Sequence, residues 1–243
     1  MKNVLGVFLS LLLVGLCGIG VWVASTSVDL PSVVGLRESI SSDLAAGGRS
    51  YIPLDQVPQE LLSSLVAVED RRFYEHDGID WTRVGGALWA NAKAHRVVQG
   101  GSTVTEQLVD NTLLRDEEAS LARKVRAMLL SRRVERAYNK DQILELYLNA
   151  IYYGPGSYGL DSASRNYFGQ VPSGLDQEQQ LFLAGVIRGP TLYDPSWQCP
   201  TARRRIDEVI AARLDVGSLS RTEAEALRAA PLVHAHGVCR AQD

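Results

Sequence analysis

Glu69 closes an apolar stretch and opens a dense polar one, Glu69-Asp70-Arg71-Arg72-Phe73-Tyr74-Glu75-His76-Asp77-Gly78. A carboxylate leaving an apolar helix end suits acid–base work, because partial burial tunes its affinity for a proton. A solvated helix end gives the same pattern, so the cluster needs support from elsewhere. Further along, Gly100-Gly101-Ser102-Thr103 leads into Val104-Thr105-Glu106-Gln107-Leu108 and then Asp110-Asn111. A glycine pair ahead of a Ser/Thr-rich helix start offers backbone N–H groups and hydroxyls to an oxygen-rich ligand. An ordinary capped helix after a loop is the plainer reading, and Thr103-x-x-Glu106 matches a capping box. Arg123-Lys124, Ile143-Leu144-Glu145-Leu146-Tyr147-Leu148-Asn149 and Gly154-Pro155-Gly156-Ser157-Tyr158-Gly159 complete the set.

The elements that must position these groups read as helices joined by short loops. Leu61, Leu62, Leu65, Val66 and Val68 recur at helical spacing within a helix from Pro58 to about Arg72. Further helices are expected over 80–96 (interrupted at Gly85-Gly86), 105–114, 118–138, 141–152 with Asn139 as N-cap, 159–168, 176–188 and 201–214. Ser220 and Glu223 announce a last short one. No stretch alternates with period two over a useful length, so the class is all-α with one globular domain.

The blocks EDRRFYEHDG, GGSTVTEQL, the Arg123-Lys124 pair, ILELYLN and YYGPGSYG, in that order, resemble the peptidoglycan glycosyltransferase domain. That domain occurs in monofunctional transglycosylases and in the N-terminal half of bifunctional penicillin-binding proteins. The resemblance covers roughly Leu54 to Pro195 and implies a lysozyme-like helical core, no cofactor and no metal. Its ligand would be lipid II or the growing glycan. It makes Glu69 the general base that deprotonates the 4-hydroxyl of an acceptor sugar. It also lines a substrate cleft with Asp70, Phe73, His76, Gly101, Ser102, Thr103, Gln107, Asn111, Arg123, Lys124, Tyr147, Asn149 and Tyr158. His76 reads better as a structural member of its block, and Tyr147 reads equally well as core.

Several cations of the family pattern are missing. Asp110 stands where the family has Lys, Glu106 where it has Gln, and Gly86 and Glu118 or Ala119 where it has Arg. Ala127 replaces a second carboxylate. Arg83 and Arg115 are the nearest substitutes. The net change is about four charge units toward negative, and a single pair at 4 Å is worth about 4 kcal/mol at an effective dielectric near 20. Glu106 and Asp110, as second carboxylates near Glu69, would favour its protonated form. A protonated Glu beside a glycosidic oxygen is the acid that starts glycan cleavage. Three readings stand open: cleavage with Glu69 as acid, which the charge changes favour; lipid II polymerisation with Glu69 as base; and a non-catalytic glycan-binding scaffold.

The chain has 243 residues, 46% of them hydrophobic, with a net charge of −3. That balance argues against nucleic acid as a partner. Val4–Ala24 is a run of 21 uncharged residues behind Lys2, long enough to span a bilayer and oriented to leave the remainder outside. A retained anchor is expected over a cleaved signal peptide ending near Ser25 and Ser27. Leu16 before Cys17 excludes a lipoprotein signal. The organisation expected is an anchor at 1–27, a connector at 28–50, the glycosyltransferase-like domain at 51–198 and a helical tail at 199–243. The protein would be single-pass in the cytoplasmic membrane, with its domain facing the periplasm or cell exterior. Cys199 and Cys239 lie in that exported part, where a disulfide is permitted. The chain carries no transpeptidase domain, so crosslinking would need another cell-wall enzyme as partner.

Overall fold

A computed structural model describes residues 29–96, 100–194 and 199–239, together with Gly18 and Thr26. The expected anchor, apart from Gly18 and Thr26, lies outside the described residues. Among the described residues no helix is long and apolar enough to cross a membrane.

Ten helices form the described body: α1 (Leu36–Ala46), α2 (Gln59–Glu69), α3 (Trp81–Ala94), α4 (Val104–Asn111), α5 (Leu121–Ala137), α6 (Lys140–Ala150), α7 (Leu160–Phe168), α8 (Gln177–Val186), α9 (Cys199–Asp215) and α10 (Arg221–Ala229). Their starts are chemically marked. Asp80, Thr103, Ser120, Asn139, Asp176 and Ser220 each accept a backbone N–H from three residues on. Such a cap is worth about 1 kcal/mol. Asn139 with Gln142, Asp176 with Gln179 and Ser220 with Glu223 are reciprocal capping boxes.

Two groups of helices meet at the site. In one, α2 packs on α8 and α9; in the other, α4 packs on α5 and α6. The centre of α8, Leu181 to Val186, is buried on every side, so it serves as the axis of the first group. Glu69, at the C-terminal end of α2, thereby faces α4 across the seam. The helix within the 28–50 segment belongs to the core instead of standing off it, since Leu36, Ile40 and Leu44 are buried there. The C-terminal helix α9 is likewise integral through Ala202, Ile206, Val209 and Ile210.

Three departures from the sequence reading are physical. First, α3 runs unbroken through Gly85 and Gly86. Each glycine costs about 1 kcal/mol against alanine, which the Asp80 cap and a continuous hydrogen-bond ladder outweigh. Second, α2 stops at Glu69, so Asp70, Arg71 and Arg72 lie in a turn. Third, two antiparallel hairpins are present, β1 (Tyr152–Gly154) with β2 (Ser157–Tyr158) and β3 (Leu232–His234) with β4 (Gly237–Cys239). Strands of two or three residues are too short to show a period. Cys239 in β4 is joined to Cys199 at the start of α9 by a disulfide, Cα to Cα 5.5 Å.

Candidate active site

Glu69 is 6% exposed, and both of its carboxylate oxygens are occupied. Arg205 donates to Oε1 at 3.2 Å and Gln107 Nε2 donates to Oε2 at 3.1 Å. Behind Gln107, the buried Tyr147 hydroxyl donates to Gln107 Oε1 at 3.0 Å. That bond fixes the amide so that its NH2 group faces the carboxylate. Burial first, and the Glu69 charge second, push the Tyr147 hydroxyl well above the ordinary phenol range, so it remains a donor. Arg205 is almost fully buried and also donates to Gly185 O at 2.8 Å and Glu208 at 2.7 Å. Arginine keeps its proton in proteins, so this guanidinium is a fixed positive charge against Glu69.

Asp70 organises the next layer. Its Oδ2 accepts from the Val104 backbone N–H at 3.0 Å and from His76 Nε2 at 3.0 Å. The negative group therefore sits at the N-terminus of α4, where the helix dipole favours it. His76 Nδ1 accepts from the Gly78 N–H at 3.2 Å, which leaves the ring proton on the nitrogen facing Asp70. His76 thereby ties Asp70 to the turn at Gly78. Gly78 has a φ of 99°, and a Cβ there would meet the Ser131 backbone at 2.9 Å, so only glycine fits. Its carbonyl accepts from Thr103 Oγ1 at 2.8 Å, which docks the GGST segment onto the first block.

The carboxylates expected to crowd Glu69 are each engaged elsewhere. Glu106 pairs with Lys124, whose Nζ also donates to Ser102 at 3.0 Å. Thr103 accepts the Glu106 N–H, but the Glu106 carboxylate is spent on Lys124, so only half of the capping box forms. Asp110 pairs with Arg123 at 3.1 Å. Burial raises both carboxyls above the ordinary range, and Asp110 adds to the rise at Glu106 while Lys124 opposes it. Arg123 and Lys124 therefore face α4 and not the acidic run at 116–118. Arg115, expected as a substitute cation, lies 3.4 Å from Asp43 in a separate dent with Arg49 and Tyr158.

A cleft of about 350 Å³ opens beside Glu69, lined by Glu69, Asp70, Asp80, Gly86, Gly100 and the arginines Arg71, Arg72, Arg83 and Arg188. Four guanidiniums thus face three carboxylates, one of which Arg205 already neutralises. The anionic pocket expected from aligned positions is not what the cleft presents. Arg83 donates to the Glu69 carbonyl and lies 3.8 Å from Asp70 Oδ1. The buried Asp70 Oδ1 has no hydrogen-bond partner.

The remaining candidates divide. Phe73 is buried beneath the Lys140 ammonium, 4.4 Å from the ring centre. Asn149 is buried and binds both the N–H and the carbonyl of Ile52 at 2.8 Å, a tie between segments. Asn111 donates to the Gln107 carbonyl at 2.8 Å. Gly101 packs against Val84. Tyr158 is half-exposed under Arg49, away from Glu69. Arg188 and Arg205 were not among the residues foreseen; the only trace was the basic run Arg203-Arg204-Arg205 in the tail. Among the described residues no group of three or more His, Cys, Asp or Glu is placed to hold a metal ion.

Residues 38–213 match the family described as Transglycosylase. Penicillin-binding protein 1A/1B of Bacillus subtilis is 42% identical over 180 residues, 74% of this chain and 20% of that protein. A Cupriavidus necator protein provisionally named a transglycosylase is 36% identical over 235 residues, 96% of this chain and 99% of that one. The crystal structure of penicillin-binding protein 1A from Haemophilus influenzae aligns with a TM-score of 0.47 at 22% identity, over 77% of this chain and 18% of that one. The chain spans 20% to 31% of the length of the Bacillus subtilis penicillin-binding protein and of the similar ones from Aquifex aeolicus and Rickettsia conorii.

Proposed function

The chain belongs to the peptidoglycan transglycosylase family, and from that premise we propose that it extends the β-1,4 MurNAc-GlcNAc strand, with Glu69 as general base. The observation that carries this reading is the buried pair between Glu69 and Arg205. A carboxylate facing a permanent guanidinium is a proton acceptor; protonating it would leave the arginine buried with only the half-exposed Glu208 opposite. Cleavage needs the reverse, a carboxylic acid with its proton in hand.

In the proposed step the acceptor sugar enters the cleft with its 4-hydroxyl toward Glu69. The hydroxyl oxygen attacks the anomeric carbon of the lipid-linked donor, and its proton passes to Glu69. The bond from that carbon to the diphosphate breaks, and its electron pair leaves with the lipid diphosphate. Tyr147 and Gln107 hold the carboxylate in place from behind. Residues 1–27 act as a single-pass anchor, and the domain, which takes in α1 and α9, faces the periplasm or cell exterior.

Two assays on the full chain in detergent decide between transfer and cleavage. The transfer reading expects polymer from lipid II, lost in Glu69→Gln, and nothing soluble from purified sacculi. Muropeptides released from sacculi without polymer would establish cleavage instead. Retention on sacculi with neither product would establish a scaffold.

A further inference from the structure

The stretch that leads out of the expected anchor is not a free tether. Between Asp29 and Leu36 it carries no helix, and Arg126 of α5 and Tyr138 at the C-cap of α5 hold it by its backbone. Arg126 donates to the Thr26 carbonyl at 3.3 Å and to the Asp29 carbonyl at 3.5 Å, and it pairs with Glu117 at 3.0 Å. The Tyr138 hydroxyl donates to the Val33 carbonyl at 2.8 Å and accepts the Leu36 N–H at 3.3 Å. Leu30 and Val33 pack against the core, and Pro31 between them has its φ fixed by its ring. We propose that Arg126 and Tyr138 are positioning residues. They strap the juxtamembrane segment to α5, so that the cleft stands at a fixed height and tilt over the bilayer holding the lipid-linked substrate. This rests on the transfer reading above and on residues 1–27 as the anchor.

The spacing fits a strap. A helical rise of about 1.5 Å per residue puts Tyr138 about 18 Å along α5 from Arg126. Extended chain from Asp29 to Val33 covers about 13 Å, and the length of the arginine side chain makes up the rest. Each of the four bonds is worth about 1 kcal/mol, and the packing of Leu30 and Val33 adds to them. Neither Arg126 nor Tyr138 lines the cleft beside Glu69, so their effect on turnover must pass through access. The lipid of the substrate stays in the membrane, and its sugars reach the cleft only at the height the membrane allows. A tether matched to that height raises the effective concentration of substrate. A slack one spreads the domain over many orientations without altering the chemistry at Glu69.

The test reconstitutes the full chain in phosphatidylcholine vesicles and compares two donors. One is lipid II in the same bilayer; the other is an analogue with a prenyl chain short enough to dissolve in water. The strap predicts that Arg126→Ala and Tyr138→Phe each lower the rate on bilayer lipid II about tenfold and leave the rate on the soluble analogue unchanged. A flexible Gly-Ser insertion between Ser25 and Thr26 keeps all four bonds but frees the anchor, and it gives the same selective loss. Arg132→Ala, at a surface pair with Asp77, affects neither donor. An equal loss on both donors would make the two residues folding braces, and an undiminished rate on bilayer lipid II would make the strap idle; either overturns the proposal. Energy transfer from a dye on the domain to a labelled bilayer reads the height without turnover, narrow in wild type and broad in both point variants. A strap seen this way in a wild type that makes no polymer sinks the transfer reading alone. Polymer from both donors with a broad wild-type height sinks the strap alone.

Discussion

The guanidinium of Arg205 lies 3.2 Å from Oε1 of Glu69, across a sequence separation of 136 residues, and both side chains are buried. Helix α9 therefore supplies the counter-charge for the carboxylate at the end of α2. Removing one partner of such a pair leaves an uncompensated buried charge, a cost of about 3–5 kcal/mol.

Arg205→Ala is accordingly expected to lower both stability and transfer rate, and Arg205→Lys to recover part of each. A merely structural arginine would leave the pH dependence of the surviving activity alone. A charge partner would not: removing the cation that faces the base changes how the rate responds to acid. Rate measurements between pH 4 and 8 on both variants distinguish the two.

Tyr147→Phe removes the hydroxyl that orients Gln107. The buried amide oxygen loses its donor, so a loss of about 1 kcal/mol is expected in chemical denaturation. Transfer is expected to drop through kcat with donor KM unchanged, because the aromatic ring stays in the core while the brace on Glu69 loosens.

Glu106 gives a stability prediction with a definite sign. Its folded carboxyl titrates above the ordinary range, chiefly through burial. The folded state therefore binds this proton more tightly than the unfolded chain does. The associated stability is fully present below the unfolded pKa and is lost as pH rises through the folded one. Glu106→Gln does not titrate, so its melting temperature relative to wild type should rise between pH 4 and pH 7. A difference independent of pH would contradict this.

Opening the Cys199–Cys239 disulfide frees a C-terminal loop of 40 residues of separation. The chain-entropy argument puts the loss at about 4 kcal/mol at most. Reductant, or the double Ser substitution, should lower the melting temperature, with β3 and β4 gaining amide exchange first.

Much of this architecture was legible because local chemistry announces it. Asn139 and Ser220, read as helix starts, do cap the helices that follow them. The helix that carries Glu69 followed from the spacing of the leucines before it, but its stop at Glu69 did not. What could not be read was pairing at long range. Glu106 and Asp110 look like neighbours of Glu69 along α4, yet their partners Lys124 and Arg123 lie on α5. Summing charge over aligned positions missed Arg188 and Arg205, because an ion pair between distant helices leaves no periodic mark on either.

The pH dependence of lipid II turnover by the wild-type chain, compared with Glu69→Gln, tests the account most directly. With Glu69 as a base paired to Arg205, the unprotonated carboxylate carries the step, so acidification lowers the rate, and the Gln variant loses about 100-fold or more. A rate that rises on acidification, with glycan shortened instead of extended, would show that Glu69 gives up a proton and would contradict it.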